Sequence, residues 1–356
     1  MKHLELHILQ SVPFSCLNRD ELGSPKTGFF GGVKRARVSS QCWKRAIRLY
    51  AKEIDSVHFK GCRTRCLIVP LKQALEVAGL NGQDAEGAAK LLAGELVKLD
   101  EKNPQKVKTL FYTSPLELEK LAQAYVAELS GGADKKAAHK AAVKQLKKVL
   151  WSDAADIALF GRMVASDSSL GVEGAAMFSH ALSTHRVDSE LDFYSAVDDI
   201  QIDDESAEAG MIGTLEFVSA TYYRFAAINL DMLADANHLG ALTSDERQSI
   251  VRAFLKAVIM AVPTAKQNSM NGNTVPVCVR GIVREKGHPI QLVNAFEQPV
   301  RGGQNGIVRE SVAALKKEAD NLKSRWGLDS VEDIELSEES EMTLPEFIGR
   351  LAAHVC

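Results

Sequence analysis

The chain opens on a strict alternation. In MKHLELHILQ, Leu4, Leu6 and Ile8 fall on one side and His3, Glu5 and His7 on the other, the two-residue period of a half-buried strand with either set facing the core. From Ser39 to about Ile54 the apolar positions recur at helical spacing, with Ala46, Ile47 and Tyr50 on the buried face. Between about Val69 and Phe160 the pattern stays helical: LKQALEVAGL, AEGAAKLLAGELVKL, PLELEKLAQAYVAELSG and ADKKAAHKAAVKQLKKVLW carry no strand signal. Strand character returns in GAAMFSHALSTHRV and in the long alternating run GTLEFVSATYYRFAAINL. TSDERQSIVRAFLKAVIMAV is an amphipathic helix with a Thr or Ser cap and acids in its first turn. A polar loop (PTAKQNSMNGNT), a strand (VPVCVRGIV), a glycine loop with a further helix, an acidic linker and a terminal helix after Pro345 complete the chain.

This order of elements predicts an α+β fold, a ferredoxin-like (RRM-type) palm with a helical insertion and an extended hairpin-like thumb. Residues 1–68 form the first part of the palm with its basic loop, 69–165 the helical insertion, or fingers, and 166–356 the rest of the palm with the C-terminal helices. The thumb, about 186–212, is an acidic excursion holding the adjacent aromatics Phe193 and Tyr194, and connections of that length in compact domains tend to be functional or disordered.

Composition removes several function classes. A chain of 356 residues, 46% hydrophobic and 25% charged, has ample core for a globular protein. No apolar run is long enough to span a bilayer, and the first segment reads as a strand, not a signal peptide. The six cysteines lack a framework spacing, which suggests reduced thiols and a cytoplasmic location. His58, Cys62 and Cys66 are spaced for one helix face, yet no fourth ligand matches them, so neither a metal nor a cofactor is expected. No paired catalytic carboxylates, Ser-His-Asp order, P-loop or Rossmann fingerprint points to an enzyme.

Charge then singles out one stretch. The net charge is -3, but Ser15 to Arg48 gathers Arg19, Lys26, Lys34, Arg35, Arg37, Lys44, Arg45 and Arg48 against Asp20 and Glu21 alone. Such a local excess points to a polyanion, held by Asn18 and these cations with hydrogen bonds from Ser39, Ser40 and Gln41 at a helix start. Alternate residues of an extended segment face opposite ways, so which of Lys34, Arg35 and Arg37 meets phosphate stays open. Lys266 and Arg301 lie in polar loops suited to further contacts. Lys135, Lys136, Lys140, Lys144, Lys147 and Lys148 give one helix a basic face. The usual RRM aromatics are absent, so RNA would be held by loops and helix ends and not on the sheet.

The runs SCLNRD, FGG followed by a basic segment and SSQ-x-x-KRA, and THRVDSELDFYSAVDD resemble the CasC family, the repeated backbone subunit of the type I-E CRISPR Cascade complex, over nearly the whole chain. The resemblance implies a non-catalytic subunit that oligomerises head to tail along CRISPR RNA, beside other Cascade subunits, and presents the guide for pairing with target DNA. It implies that Phe193 and Tyr194 displace a base from the stack, that Met163 inserts beside the distorted duplex, and that Lys135, Lys136 and Lys144 face DNA. Two departures stand out: Val33 replaces a common basic residue after FGG, and Phe-Tyr replaces Trp-Phe. The alternative is a guide-dependent ribonuclease using Asp20, which pairs with Arg19 on the simpler reading, and a divalent metal.

Overall fold

A computed structural model describes residues 1–146, 152–164, 167–196 and 211–356. In chain order its strands are β1 (His3–Ser15), β2 (Thr27–Phe30), β3 (Val33–Val38), β4 (Cys62–Thr64), β5 (Phe111–Thr113), β6 (Ala176–Phe178), β7 (Ala181–Ser183), β8 (Glu190–Ala196), β9 (Met211–Asn229), β10 (Cys278–Arg284) and β11 (Glu332–Ser337). Its helices are α1 (Ser40–Ile54), α2 (Ile68–Val77), α3 (Gly82–Leu96), α4 (Pro115–Ser130), α5 (Lys135–Leu146), α6 (Ala155–Phe160), α7 (Leu230–Leu233), α8 (Ser244–Met260), α9 (Gly306–Trp326) and α10 (Leu344–Ala352).

The fold is α+β. One sheet runs in the order β11-β10-β1-β9-β7-β3-β2, with β6 and β8 also pairing β9, and every pairing among the described residues is antiparallel. On one face Leu4, Leu6 and Ile8 of β1 pack with Ala226, Ile228, Val279 and Val283 against Trp43 and Ile47 of α1 and Phe254 and Val258 of α8. The opposite face is also covered: Leu9, Tyr223, Phe225 and Cys278 form a second cluster with Phe296 and with Leu315 and Ala319 of α9.

The polar set of β1 therefore does not face water, contrary to the half-buried strand its alternation predicts. His3, Glu5 and His7 are all buried. They avoid the cost of unpaired burial by bonding to one another: Glu5 accepts from His3 Nε2 at 2.9 Å, His7 Nε2 at 3.3 Å, Arg284 Nε at 3.3 Å and the Ile290 amide at 3.1 Å. With both faces buried along this part of β1, the centre of the sheet leaves no open platform for bases among the described residues.

The helical insertion has its own core, in which Leu71 and Leu75 of α2, Ala89 and Leu92 of α3, Leu121 and Tyr125 of α4 and Ala138 and Ala142 of α5 close together. Three local readings are corrected. The segment before α1 is a hairpin: β2 and β3 pair from Thr27↔Ala36 to Phe30↔Val33 around Gly31 and Gly32, whose φ values of 59° and 74° fit a two-residue turn that matches strand twist. Short β5 lies inside the region read as wholly helical, where it pairs β4 from just before that region. The acidic linker contains β11, because Ile334 and Leu336 turn inward while Asp333 binds Arg280 of β10 through two 2.8 Å hydrogen bonds.

Candidate nucleic-acid interface

The seat expected at the start of α1 is built by two loops. Ser39 caps the helix, its hydroxyl accepting from the Cys42 amide at 3.3 Å, while Asn18 Oδ1 accepts from the Ser39 amide at 2.9 Å. No acid stands in the first turn of α1, and the Ser40 and Gln41 amides meet no acceptor among the described residues. Those two amides and the helix dipole are left to an outside anion. Asn18 Oδ1 and the Ser39 hydroxyl thus build the frame of this seat. Gln41 is exposed and Ser40 half-buried.

Cations lie along α1 and the segments beside it in three groups. Lys26 and Arg37 lie beside His180, whose pKa is lowered by burial first and then by those charges, and Arg37 Nη1 lies 3.0 Å from His180 Nδ1. Lys26 and Arg45 both act on the Cys42 thiol, which burial pushes up and they pull down. Arg19 and Lys266 act on buried Cys16 in the same way. Lys266 has a φ of 54°, rare for a side chain with a Cβ, and its carbonyl accepts from the Ser269 and Met270 amides at 3.2 and 2.8 Å.

The third group contains a residue that sequence reading missed. Arg48 of α1 and Arg63 of β4 lie 5.3 and 4.6 Å from the ring centroid of Tyr112, and Lys44 lies 5.3 Å from that of Phe178. Partial burial lowers the pKa of Lys44, with Arg63 adding repulsion, and that of Arg63, with Arg48 adding repulsion. No ion pair is formed by Lys44, Arg48 or Arg63 among the described residues, although buried Asp156 is near enough to raise Arg63. Cations gathered against mutual repulsion want a counter-charge from outside. Arg63 escaped notice because it lies beyond the basic stretch and reaches the site only through the pairing of β4 with β5.

Arg35 is corrected: it cannot meet phosphate in this fold. It is fully buried, and its guanidinium donates to the carbonyls of Phe30 at 3.1 Å, Ser183 at 3.0 Å, Phe296 at 2.7 Å and Glu297 at 3.2 Å. Lys34 and Arg37 remain half-buried, Lys34 near Glu216. Asp20 does not pair with Arg19 either. Its Oδ1 accepts from the Leu22 and Ser24 amides at 2.9 and 3.0 Å, tying its own turn.

The remaining candidates are dispersed. Residues 197–210, which belong to the expected thumb, lie outside the described residues. On β8 Phe193 and Tyr194 are split by strand alternation: Phe193 is 65% exposed, whereas Tyr194, 37% exposed, lies over its register partner Gly213, where an added Cβ would meet the tyrosine ring at 2.4 Å. Met163 is 91% exposed after α6. Lys136, Lys140 and Lys144 are exposed at four-residue steps along α5, with Lys135 3.6 Å from Asp84; Lys147 and Lys148 lie outside the described residues. Arg301 is exposed beside Val300, whose amide bonds to the Thr184 carbonyl at 2.9 Å. Cys62 is on a strand, so it shares no helix face with Cys66, and His58 Nδ1 is 2.8 Å from Asp55.

Comparison with solved structures finds the same architecture over essentially the full length. A chain of a "CRISPR RNA-guided surveillance complex, pre-nicking" aligns with a TM-score of 0.83 and 29% identity over 99% of this chain and 100% of that one. A chain of a "CRISPR RNA-guided surveillance complex" aligns with a TM-score of 0.70 and 26% identity over 99% of each. No curated protein matches the sequence. The model of a Cas family, described as CT1975-like protein, matches residues 4–352, in agreement with the CasC resemblance carried by SCLNRD and THRVDSELDFYSAVDD. The chain therefore belongs to the CT1975-like protein family.

Proposed function

We propose that this protein is a non-catalytic, RNA-binding structural subunit of a type I-E Cascade complex in the cytoplasm, several copies lining one CRISPR RNA head to tail and presenting it for pairing with target DNA. The observation that carries the reading is the set of cations along α1 and its neighbouring segments that form no ion pair among the described residues, in a chain of net charge -3. Arg19, Lys26, Lys34, Arg37, Ser40, Gln41, Lys44, Arg45, Arg48, Arg63, Lys266 and Arg301 supply phosphate contacts, Phe193 and Met163 the distortion, and Lys135, Lys136 and Lys144 contacts to DNA. The palm is read as ferredoxin-like because β10-β1-β9-β7 are neighbours in that order, with α1 following β1 and α8 joining β9 to β10.

An arm that closes over RNA held by the next copy makes a heterologous contact, which extends until something ends it. Guide length and different end subunits end it here. Co-expression with a CRISPR RNA and the partner subunits, followed by native mass measurement with and without ribonuclease, tests the proposal. A large particle holding several copies and one RNA is expected; a lone RNA-free chain overturns it.

A further inference from the structure

Met163, exposed on the surface, is presented by a backbone that is unusually constrained. Gly161 has a φ of 77°, and a Cβ there would meet Gly174 N and Val172 O at 2.9 Å; a Cβ on Gly174 would meet Gly161 N at 2.8 Å. Between Gly161 and Met163, Arg162 exchanges backbone hydrogen bonds with Val172, both at 2.8 Å. Its side chain turns the other way, into the protein. Nε donates to Leu170 O at 3.0 Å, and Nη1 donates to Tyr112 O at 3.0 Å and to the Glu117 carboxylate at 2.7 and 2.9 Å. Glu117, on the first turn of α4, also accepts from Thr113 Oγ1 at 2.6 Å, and both charges are almost wholly buried.

A buried ion pair is a poor device for stability, since well-packed apolar side chains of similar volume often do as well or better. What it supplies here is direction. The guanidinium is held from two sides, Nε on Leu170 O and Nη1 between Tyr112 O and the Glu117 carboxylate, which fixes the place of Arg162 and hence of the next residue. The strand β5 links this fork to the cation cluster: the ring of Phe111 lies 5.1 Å from the Arg162 guanidinium, Tyr112 gives its carbonyl to Arg162 and its ring to Arg48 and Arg63, and Thr113 holds Glu117.

We infer that Arg162, locked by Glu117 and β5, is a positioning residue that fixes Met163 at a set distance from the Lys44–Arg48–Arg63 cluster, so that the point where the duplex is wedged keeps register with the phosphates gripped beside it. The inference rests on the reading of Met163 as the residue inserted beside the guide–target duplex.

The test uses the assembled complex with all copies carrying the variant, bound to a DNA strand complementary to the guide, with permanganate reactivity of its thymines marking unstacked bases. Met163→Ala is expected to lower reactivity at the displaced positions about tenfold, the change produced by about 1.4 kcal/mol of lost contact. The double variant Arg162→Met with Glu117→Met removes both members of the buried ion pair together. It is expected to assemble with unchanged mass and melting temperature, yet to spread the reactivity over neighbouring positions. Glu117→Gln keeps the shape of the pocket and removes the charge, and spreading is expected there too. If Met163→Ala leaves the pattern intact, the wedge reading falls. If Met163→Ala erases the pattern while Glu117→Gln and, where it assembles, the double variant keep the parental one, the positioning role of Arg162 is overturned.

Discussion

Replacing Arg35 by Ala separates the two roles that the basic stretch of this chain could assign to an arginine. The side chain is fully buried and donates to four carbonyls on three segments: the β2–β3 hairpin, β7 and the Phe296–Glu297 turn. Burial lowers the guanidinium pKa, with Glu297 opposing that effect. Hydrogen bonds from a charged donor contribute about 1.5–3 kcal/mol each, but they are not additive, and carbonyls keep a second lone pair. A net loss of about 3–5 kcal/mol is therefore expected for Arg35→Ala, the range found when a buried charged partner is removed. For a chain of this length that is a fall in melting temperature of roughly 5–10 °C. Lys34→Ala, one position away and half-buried, should change stability by no more than about 0.5 kcal/mol. It should instead reduce the log–log salt slope of RNA binding by about 0.7, the contribution of one phosphate on a single strand. The assay is thermal unfolding of the RNA-free protein beside RNA titrations at several salt concentrations. An Arg35→Ala protein that melts with the parent but loses about 0.7 of salt slope would refute the assignment of Arg35 to the interior.

The turn of the same hairpin gives a paired prediction. A Cβ on Gly31 would lie 1.6 Å from Glu297 O, whereas Gly32, at φ 74°, has open space; Gly31→Ala should therefore undock the hairpin and abolish RNA binding, while Gly32→Ala should cost only about 1–2 kcal/mol in urea unfolding. On the thumb, Gly213→Ala should push the Tyr194 ring off its seat and raise hydrogen exchange along β8, with stability of the palm unchanged. Acid sensitivity should centre on Glu5. Burial alone would raise its pKa, but hydrogen bonds from His3 and His7 and the charges of His7 and Arg284 hold it at about 2 against an ordinary 4.5. A folded pKa below the unfolded one gives stability that is present above pH 4.5 and lost as pH falls toward 2, here about 3 kcal/mol. His7, whose pKa burial lowers from 6.5, acts in the same direction at the upper end of the acid range, because the unfolded state takes up its proton first. Urea midpoints measured from pH 7 to pH 2 should fall through this interval, and Glu5→Gln should be less stable at pH 7 with a flatter profile below pH 4.5.

Much of this molecule is legible from neighbours along the chain. The capping boxes of α8 and α10, Thr243 with Glu246 and Thr343 with Glu346, follow from residues three apart. The length and type of α1 and α8, the alternation of β1 and β9, and the cation excess before α1 are likewise set by local periods and composition. What local sequence leaves open is which of two alternating faces turns inward. Arg35 is buried because Ser183 and Phe296, 148 and 261 residues away, offer carbonyls at the right place. His3, Glu5 and His7 are buried because Arg284 and Ile290 close over them. Arg63 joins the site because β4 meets β5, and Tyr194 leaves Phe193 because Gly213 receives its ring. The sequence by itself thus determined the longer helices and strands and the local excess of cations before α1, since both depend on residues close in sequence. Only tertiary structure decided which charged side chains stay at the surface, since a charge is driven there by the cost of unpaired burial unless distant backbone is folded into reach to satisfy it.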